Sequence, residues 1–352
     1  METIWFIILA AMLIVYSILD GFDFGTGIIY LFVARNDAER RTVLNAIGPF
    51  WDGNEVWLIA AGGALFLAFP SAYSAGFSGF YLALFIVLWL LMLRGVSIEL
   101  RSHLHNPLWS SFWDVVFSFS SGLLAFILGV ALGNLIRGVP LNSSGYFFVA
   151  LWTNFKTGPQ PGILDWYTIL VGLLSVSLLG LHGAGFIVLR TTGRVRTRSR
   201  QMARQLFWVI LVLSALATLS TFIIRTDVFR NYRHHPLGFV LPALTLAAIT
   251  GIFYFLRQKK DAATFGASSL LIATLMGSAV FSLYPNILMS GYSPEFSLTI
   301  YNASAPTGSL RIALMWYLPG MLLALGYTVF MYRTFLKKIS KQLDNAGNED
   351  GY

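Results

Sequence analysis

Apolar residues run in long blocks along this chain, separated by short polar stretches. A helix needs about 20 predominantly apolar residues to cross hydrocarbon. Blocks near 4–33, 53–70, 76–97, 112–136, 163–189, 206–225, 237–256, 265–285 and 309–335 meet or approach that length. The pattern predicts an all-α polytopic membrane protein of about nine transmembrane helices. The first block is long for one crossing, so it tilts or protrudes. Its apolar run outlasts the core of a cleavable signal and lacks a basic start, so it reads as a spanning helix. Blocks two and three are joined by a short uncharged turn around Pro70, which predicts a hairpin.

Composition agrees. Of 352 residues, 56% are apolar and 11% charged, with a mean hydropathy of +0.68. A soluble domain carries about 25% charged residues. The absence of cysteine excludes disulfides, iron–sulfur clusters and thiolate-bound haem or zinc. The formal charge of +8 suggests nucleic acid only until the basic residues are sorted by side of the membrane. Eighteen of the 24 Lys and Arg follow blocks one, three, five and seven or lie in the tail, Arg94 and Arg101 among them. The other six are Arg137, Lys156, Arg225, Arg230, Arg233 and Arg311. Basic loops stay cytoplasmic, so the N-terminus is expected outside and the C-terminus in the cytoplasm. Residues 1–340 then form a single transmembrane domain, with two four-helix sets plus a ninth helix as one possible arrangement, and 341–352 a polar cytoplasmic tail. The loops at 137–162 and 286–308 carry few charges and are expected close to the outer surface.

Ionisable residues inside spans are functional candidates because each costs about 2.5–3.5 kcal/mol on insertion scales. Asp20 and Asp23 lie in the first block at a spacing that places both on one helical face. Asp52 and Glu55 repeat the spacing where the second block begins, so four acids are expected to converge at similar depth. Two readings stand. Closely placed carboxyls that cannot all ionise can carry protons or a cation. Alternatively Asp52 and Asp23 cap helix ends or pair with Arg40 or Arg41, with Glu55 completing a capping box. No metal site is indicated. His182 is the one intramembrane His, suited to hydrogen bonding or helix packing rather than to a bis-His haem site. Trp57, beside the acids, can line a cavity, whereas most Trp and Tyr near block ends form an interfacial belt. Gly21 with Gly25, and Gly129 with Gly133, make small-xxx-small faces for close helix approach.

Several stretches resemble the second subunit of the cytochrome bd quinol oxidase family, which includes the cyanide-insensitive quinol oxidases. They are Asp20-Gly21-Phe22-Asp23-Phe24-Gly25, the polar run Arg35 to Arg41, and Gly48-Pro49-Phe50-Trp51-Asp52-Gly53-Asn54-Glu55-Val56-Trp57 continuing through Ala61 to Phe66. Phe77 to Tyr81 and Gly133 to Pro140 follow in order. The resemblance implies a heterodimer in a bacterial cytoplasmic membrane. A homologous subunit I binds haem b, haem d and the quinol, and the complex reduces dioxygen to water. Quinol protons leave outside and chemical protons enter from the cytoplasm, so a gradient builds without pumping. On that reading Asp52, with Asp20 and Asp23, belongs to the proton route, and Trp57 lies near a passage for dioxygen. Glu55 stands where some relatives carry Gln, which argues against an essential charge there. Small accessory subunits, membrane lipid and a structural quinone are possible companions; nucleic acid is not. The rival readings are a cation or small-solute transporter using the same acids, and a purely structural assembly subunit.

Overall fold

A backbone in hydrocarbon has to satisfy its own N–H and C=O groups, and helix does this within one segment. The computed structural model describes residues 1–158 and 160–335, so the expected tail at 341–352 lies outside the described residues. In chain order the helices are α1 (Glu2–Val33), α2 (Asp37–Ile47), α3 (Trp51–Ala68), α4 (Pro70–Gly79), α5 (Tyr81–Leu100) and α6 (Pro107–Arg137). Then come α7 (Trp166–Arg190), α8 (Gly193–Ile224), the short α9 (Arg230–His234), α10 (Val240–Gln258), α11 (Asp261–Leu283) and α12 (Thr307–Phe335). Two short strands, β1 (Asn286–Leu288) and β2 (Leu298–Thr299), pair antiparallel with Asn286 opposite Thr299. The chain is an all-α polytopic membrane protein. Among the described residues, eight helices are long and apolar enough to cross a bilayer: α1, α5, α6, α7, α8, α10 with the turn before it, α11 and α12.

The expected second span is α3, which Asp52, Asn54 and Glu55 make too polar to join those eight. Its 18 residues nonetheless extend about 27 Å at 1.5 Å per residue. It runs antiparallel beside α1. Asn54 hydrogen-bonds the Leu19 carbonyl, while Ala61, Ala64 and Ala68 share a buried cluster with Trp5, Leu9 and Met12. The third block is broken at Phe80 into α4 and α5, and Pro70 opens α4 at the expected turn.

Two polar stretches expected as loops are helical. Asn36 caps α2 by accepting a hydrogen bond from the Glu39 N–H at 2.9 Å. Helix α8 begins at Gly193, well before its apolar block, because hydropathy marks entry into lipid and not the start of a helix. Arginine is a good helix former. Val195, Ser199, Ala203 and Phe207 keep a buried stripe running through the basic segment.

Helix α7 packs against α1, α6, α8 and α11. At its crossing with α1 the backbones touch: a methyl group on Gly25 would collide with the Leu179 carbonyl, and one on Gly183 with the Gly25 backbone. Against α6, a methyl on Gly129 would lie 2.9 Å from the Gly172 Cα, and one on Gly133 3.1 Å from the Thr168 Cα. Both small-residue faces therefore serve close approach. The far end, opposite α2, is plugged by loop residues Val139, Leu141, Phe147, Val149 and Ile163, all buried. Val139 joins the two long loops, donating to the Met289 carbonyl at 2.9 Å and accepting from the Gly291 N–H at 2.7 Å. Arg137 is buried there between Asn134 and Asp165, whose side chain also caps α7.

Candidate functional site

Asp20 and Asp23 lie on the face of α1 turned to α3 and to Arg94 of α5, and both are fully buried. Arg94 of α5, also fully buried, donates from Nη1 to Asp20 at 2.5 Å and from Nη2 to Glu55 at 2.9 Å. Its guanidinium sits over the Phe24 ring at 4.5 Å. Asp23 accepts from the Asn54 amide at 2.7 Å, and the Tyr332 hydroxyl of α12 donates to the Asn54 carbonyl oxygen at 3.0 Å. That pair of bonds fixes the orientation of the Asn54 amide. Three carboxyls thus face one guanidinium in a site closed to solvent on most sides.

Asp52 is not in it. The inward stripe of α3 is Asn54, Trp57, Ala61, Ala64 and Ala68, and Asp52 points the other way, exposed beside Val56 and Ile59. The three-residue offset puts Asp52 and Glu55 on one flank as expected, but only the longer Glu55 reaches back to Arg94. Convergence of four acids is therefore corrected to three. The capping reading is corrected as well: α3 has no side-chain cap. Arg40 pairs with Asp114 and Arg41 with Asp37, each leaving the expected acids alone.

Trp57 is buried one turn from Asn54, at 6% exposure. His182 is fully buried with both ring nitrogens engaged, Nδ1 2.8 Å from the Ser268 hydroxyl and Nε2 2.9 Å from the Ile18 carbonyl. A carbonyl only accepts, so Nε2 carries a proton. The ring stacks on Phe265 at 4.5 Å. With both nitrogens committed, His182 ties α7 to α1 and α11 and does not fit an axial haem ligand.

A second ionic knot lies at the α2 end. Asp114 of α6, 1% exposed, accepts from the Tyr30 hydroxyl at 2.5 Å, Arg40 at 2.7 Å and Arg101 at 2.6 Å. Arg101 also reaches Asp37 at 2.8 Å, and this bonding holds the Asp37 carboxyl below the usual carboxylate range. Arg198 of α8 grips Glu39 through both oxygens at 2.8 and 2.9 Å, bringing its carboxyl down to about 2. The polar run from Arg35 to Arg41 is thereby accounted for as the docking of α2.

Arg94 and Asp114 were missed as partners. Both sit inside apolar blocks, and an arginine in the 76–97 block requires an acid nearby. Counting Arg94 with the loop that follows hid that signal.

The family described as cytochrome bd terminal oxidase subunit II matches residues 1–335. Cytochrome bd ubiquinol oxidase subunit 2 of Bacillus subtilis is 35% identical over 341 residues, covering 97% of each chain. Cytochrome bd-I ubiquinol oxidase subunit 2 of Escherichia coli K12 is 32% identical, covering 96% of this chain and 95% of its own. The fold resembles that of the bd oxidase from Geobacillus thermodenitrificans, with a TM-score of 0.74 at 18% identity over 95% of this chain and 98% of that one. Matched along nearly its whole length, this chain belongs to the cytochrome bd terminal oxidase subunit II family.

Proposed function

We propose that this chain is the second subunit of a heterodimeric bd-type terminal oxidase that oxidises quinol and reduces dioxygen to water, in a bacterial cytoplasmic membrane. Subunit I carries haem b, haem d and the quinol site. This chain scaffolds subunit I and conducts protons from the cytoplasm. The orientation that suits this places the α2 end in the cytoplasm, the N-terminus outside and α3 as a ninth crossing.

The observation that carries the reading is the fully buried pair Asp20 and Asp23, with the partly exposed Glu55, around the single guanidinium of Arg94. A carboxyl that holds a proton in a dry site can take it from one side and release it to the other. Asp52, exposed on the opposite face of α3, is the acid available to hand protons on to a neighbouring subunit. Trp57 is buried on the inner face of α3, beyond Glu55 along the helix, where an apolar passage for dioxygen would run. The haems supply the oxygen chemistry when bound to subunit I. The residues described in this chain bind, position and move protons.

The test is a reduced-minus-oxidised spectrum of complex purified through a tag on this chain, made with Asp20→Asn and Asp52→Asn. Haem b and d bands at native intensity, with quinol-driven oxygen consumption reduced by about 100-fold, as for loss of a proton-transfer group, are the expected result. Loss of the haem bands in both variants indicates a scaffold alone. Native turnover in both removes these acids from the route.

A further inference from the structure

The connection from α8 to α10 follows one edge of the membrane. Helix α8 ends at Ile224 and α10 begins at Val240, so residues 225–239 lie where hydrocarbon gives way to headgroups. On the orientation proposed above this is the outer side, where basic residues are depleted. The segment nonetheless holds Arg225, Arg230, Arg233, His234 and His235 against a single acid, Asp227. Arg225 is accounted for by the fold. It grips the two Asp227 oxygens at 2.6 and 2.7 Å and donates to the Ile136 carbonyl at 2.9 Å. Arg230 and Arg233 are exposed, and among the described residues neither has a carboxylate partner. Arginines that hold this bundle together are paired, as Arg94, Arg101, Arg137 and Arg198 are.

The segment is fastened to α11. Asn231 donates to the Phe281 carbonyl at 2.8 Å and also to the Tyr284 carbonyl. Tyr232 is buried with its ring 4.8 Å from that of Phe281, and a methyl group on Gly238 would lie 2.3 Å from the same ring. With Tyr232 turned inward, Arg230, Arg233 and His234 share the outer face of α9 at helical spacing. Just beyond them Leu237 is 86% exposed, with Phe239 and Val240 exposed beside it. Phe229 stacks on Phe222 of α8 at 4.9 Å and joins this surface to the exposed end of that helix. Cationic side chains thus border an open apolar surface at the membrane boundary, in the order of a phospholipid's headgroup and chains.

We propose that α9 and the turn after it, Pro236–Phe239, bind an anionic phospholipid. Arg230 and Arg233 receive its phosphodiester, since a guanidinium offers paired donors that match phosphate oxygens. His234 adds a ring N–H, and the acyl chains lie along Leu237 and the end of α8. A headgroup with net negative charge neutralises the two arginines, whereas a zwitterionic one brings its own cation and does so less well. The site stands apart from the acids around Arg94 and does not depend on how they act.

The test uses complex purified through a tag on this chain and reconstituted in vesicles of equal parts phosphatidylglycerol and phosphatidylcholine with matched acyl chains. A photoreactive amino acid is placed at Leu237 or, as control, at the exposed Leu219 of α8, and mass spectrometry counts the adducts of each lipid. At Leu237 phosphatidylglycerol is expected to be trapped roughly tenfold over phosphatidylcholine, as for two basic side chains at a headgroup. At Leu219 the two lipids are trapped equally. Arg230→Gln combined with Arg233→Gln brings Leu237 to the Leu219 ratio, and the corresponding pair of Lys substitutions keeps most of the preference. Both side chains are exposed, so the substitutions leave the packing on α11 in place. Equal trapping at Leu237 in the native sequence overturns the proposal, as does a preference that survives the Gln pair. A protein adduct at Leu237 in place of lipid assigns the surface to a partner chain and overturns it too.

Discussion

Gly183 and Gly25 bring two helix backbones into contact, and everything that joins α1 to α7 depends on that approach. His182, next to Gly183, can reach the Ile18 carbonyl at 2.9 Å only because the helices are this close. A side chain at Gly183 would meet backbone, which cannot turn aside as a flexible side chain can. Gly183→Ala is expected to destabilise the complex by about 1–3 kcal/mol, the range for overpacking, at its upper end. Gly266 on α11 has open space around it, and Gly266→Ala is expected to be neutral or slightly stabilising, since Ala favours helix. The loss of haem absorbance on heating distinguishes the two variants. Residues of this kind were legible in the sequence: the spacing of small residues pointed to close helix faces, and the acid spacing pointed to Asp20 and Asp23. Arg94 and Asp52 were not. Hydropathy grades a residue by its neighbours in the chain, and neither the acid paired with Arg94 nor the face Asp52 occupies is a local property.

Helix α2 carries a mean composition too polar for a span, yet it is held firmly at one end of the bundle. The grip is electrostatic. Glu39 accepts from Arg198 through both oxygens and from the Arg35 N–H at 2.7 Å. Its carboxyl lies at about 2, below the ordinary 4.5. A depressed value means that the stabilisation is fully present above about pH 4.5 and is lost as pH falls toward 2. Docking of α2 is therefore expected to loosen between pH 4.5 and 3 in the native chain. In Glu39→Gln the bidentate ion pair is gone at every pH, so this acid-dependent loosening is expected to shrink to the part that Asp37 contributes through Arg101 and Arg41, with α2 less protected at pH 7. Amide hydrogen exchange of residues 37–47, corrected for its intrinsic pH dependence, measures both. Elements divide the same way as residues. Long apolar helices were legible to within a few residues, because lipid imposes both length and hydropathy. Helix α2, the basic start of α8 and the break at Phe80 depend on caps, ion pairs and packing that carry no hydropathy signal.

Over the whole molecule, α12 buries only Leu310 and exposes Met315, Trp316, Leu322 and Leu323 at above 70%. In a membrane such apolar exposure suits lipid and a protein partner equally, so it does not by itself mark an interface. The outward stripe of α3 is more informative. Val56, Ile59 and Phe66 are exposed on it, at 54%, 71% and 60%, and Asp52 begins the same stripe. A carboxyl facing acyl chains is costly, so a stripe that starts with one is better matched to a protein surface offering polar groups at that level. Helix α8 exposes Val212, Leu219 and Ile223 as an apolar face with no such acid, as lipid requires. A photoreactive amino acid at Ile59 is therefore expected to give a covalent adduct with subunit I in native membranes, and one at Leu219 to give lipid adducts alone. Both positions are apolar and exposed, so the substitution itself disturbs neither site. Lipid adducts alone at Ile59 would move the interface off α3 and leave Asp52 without a protein opposite it. The mass of each adduct after digestion separates these outcomes, and the position crosslinked in subunit I would identify what stands opposite Asp52.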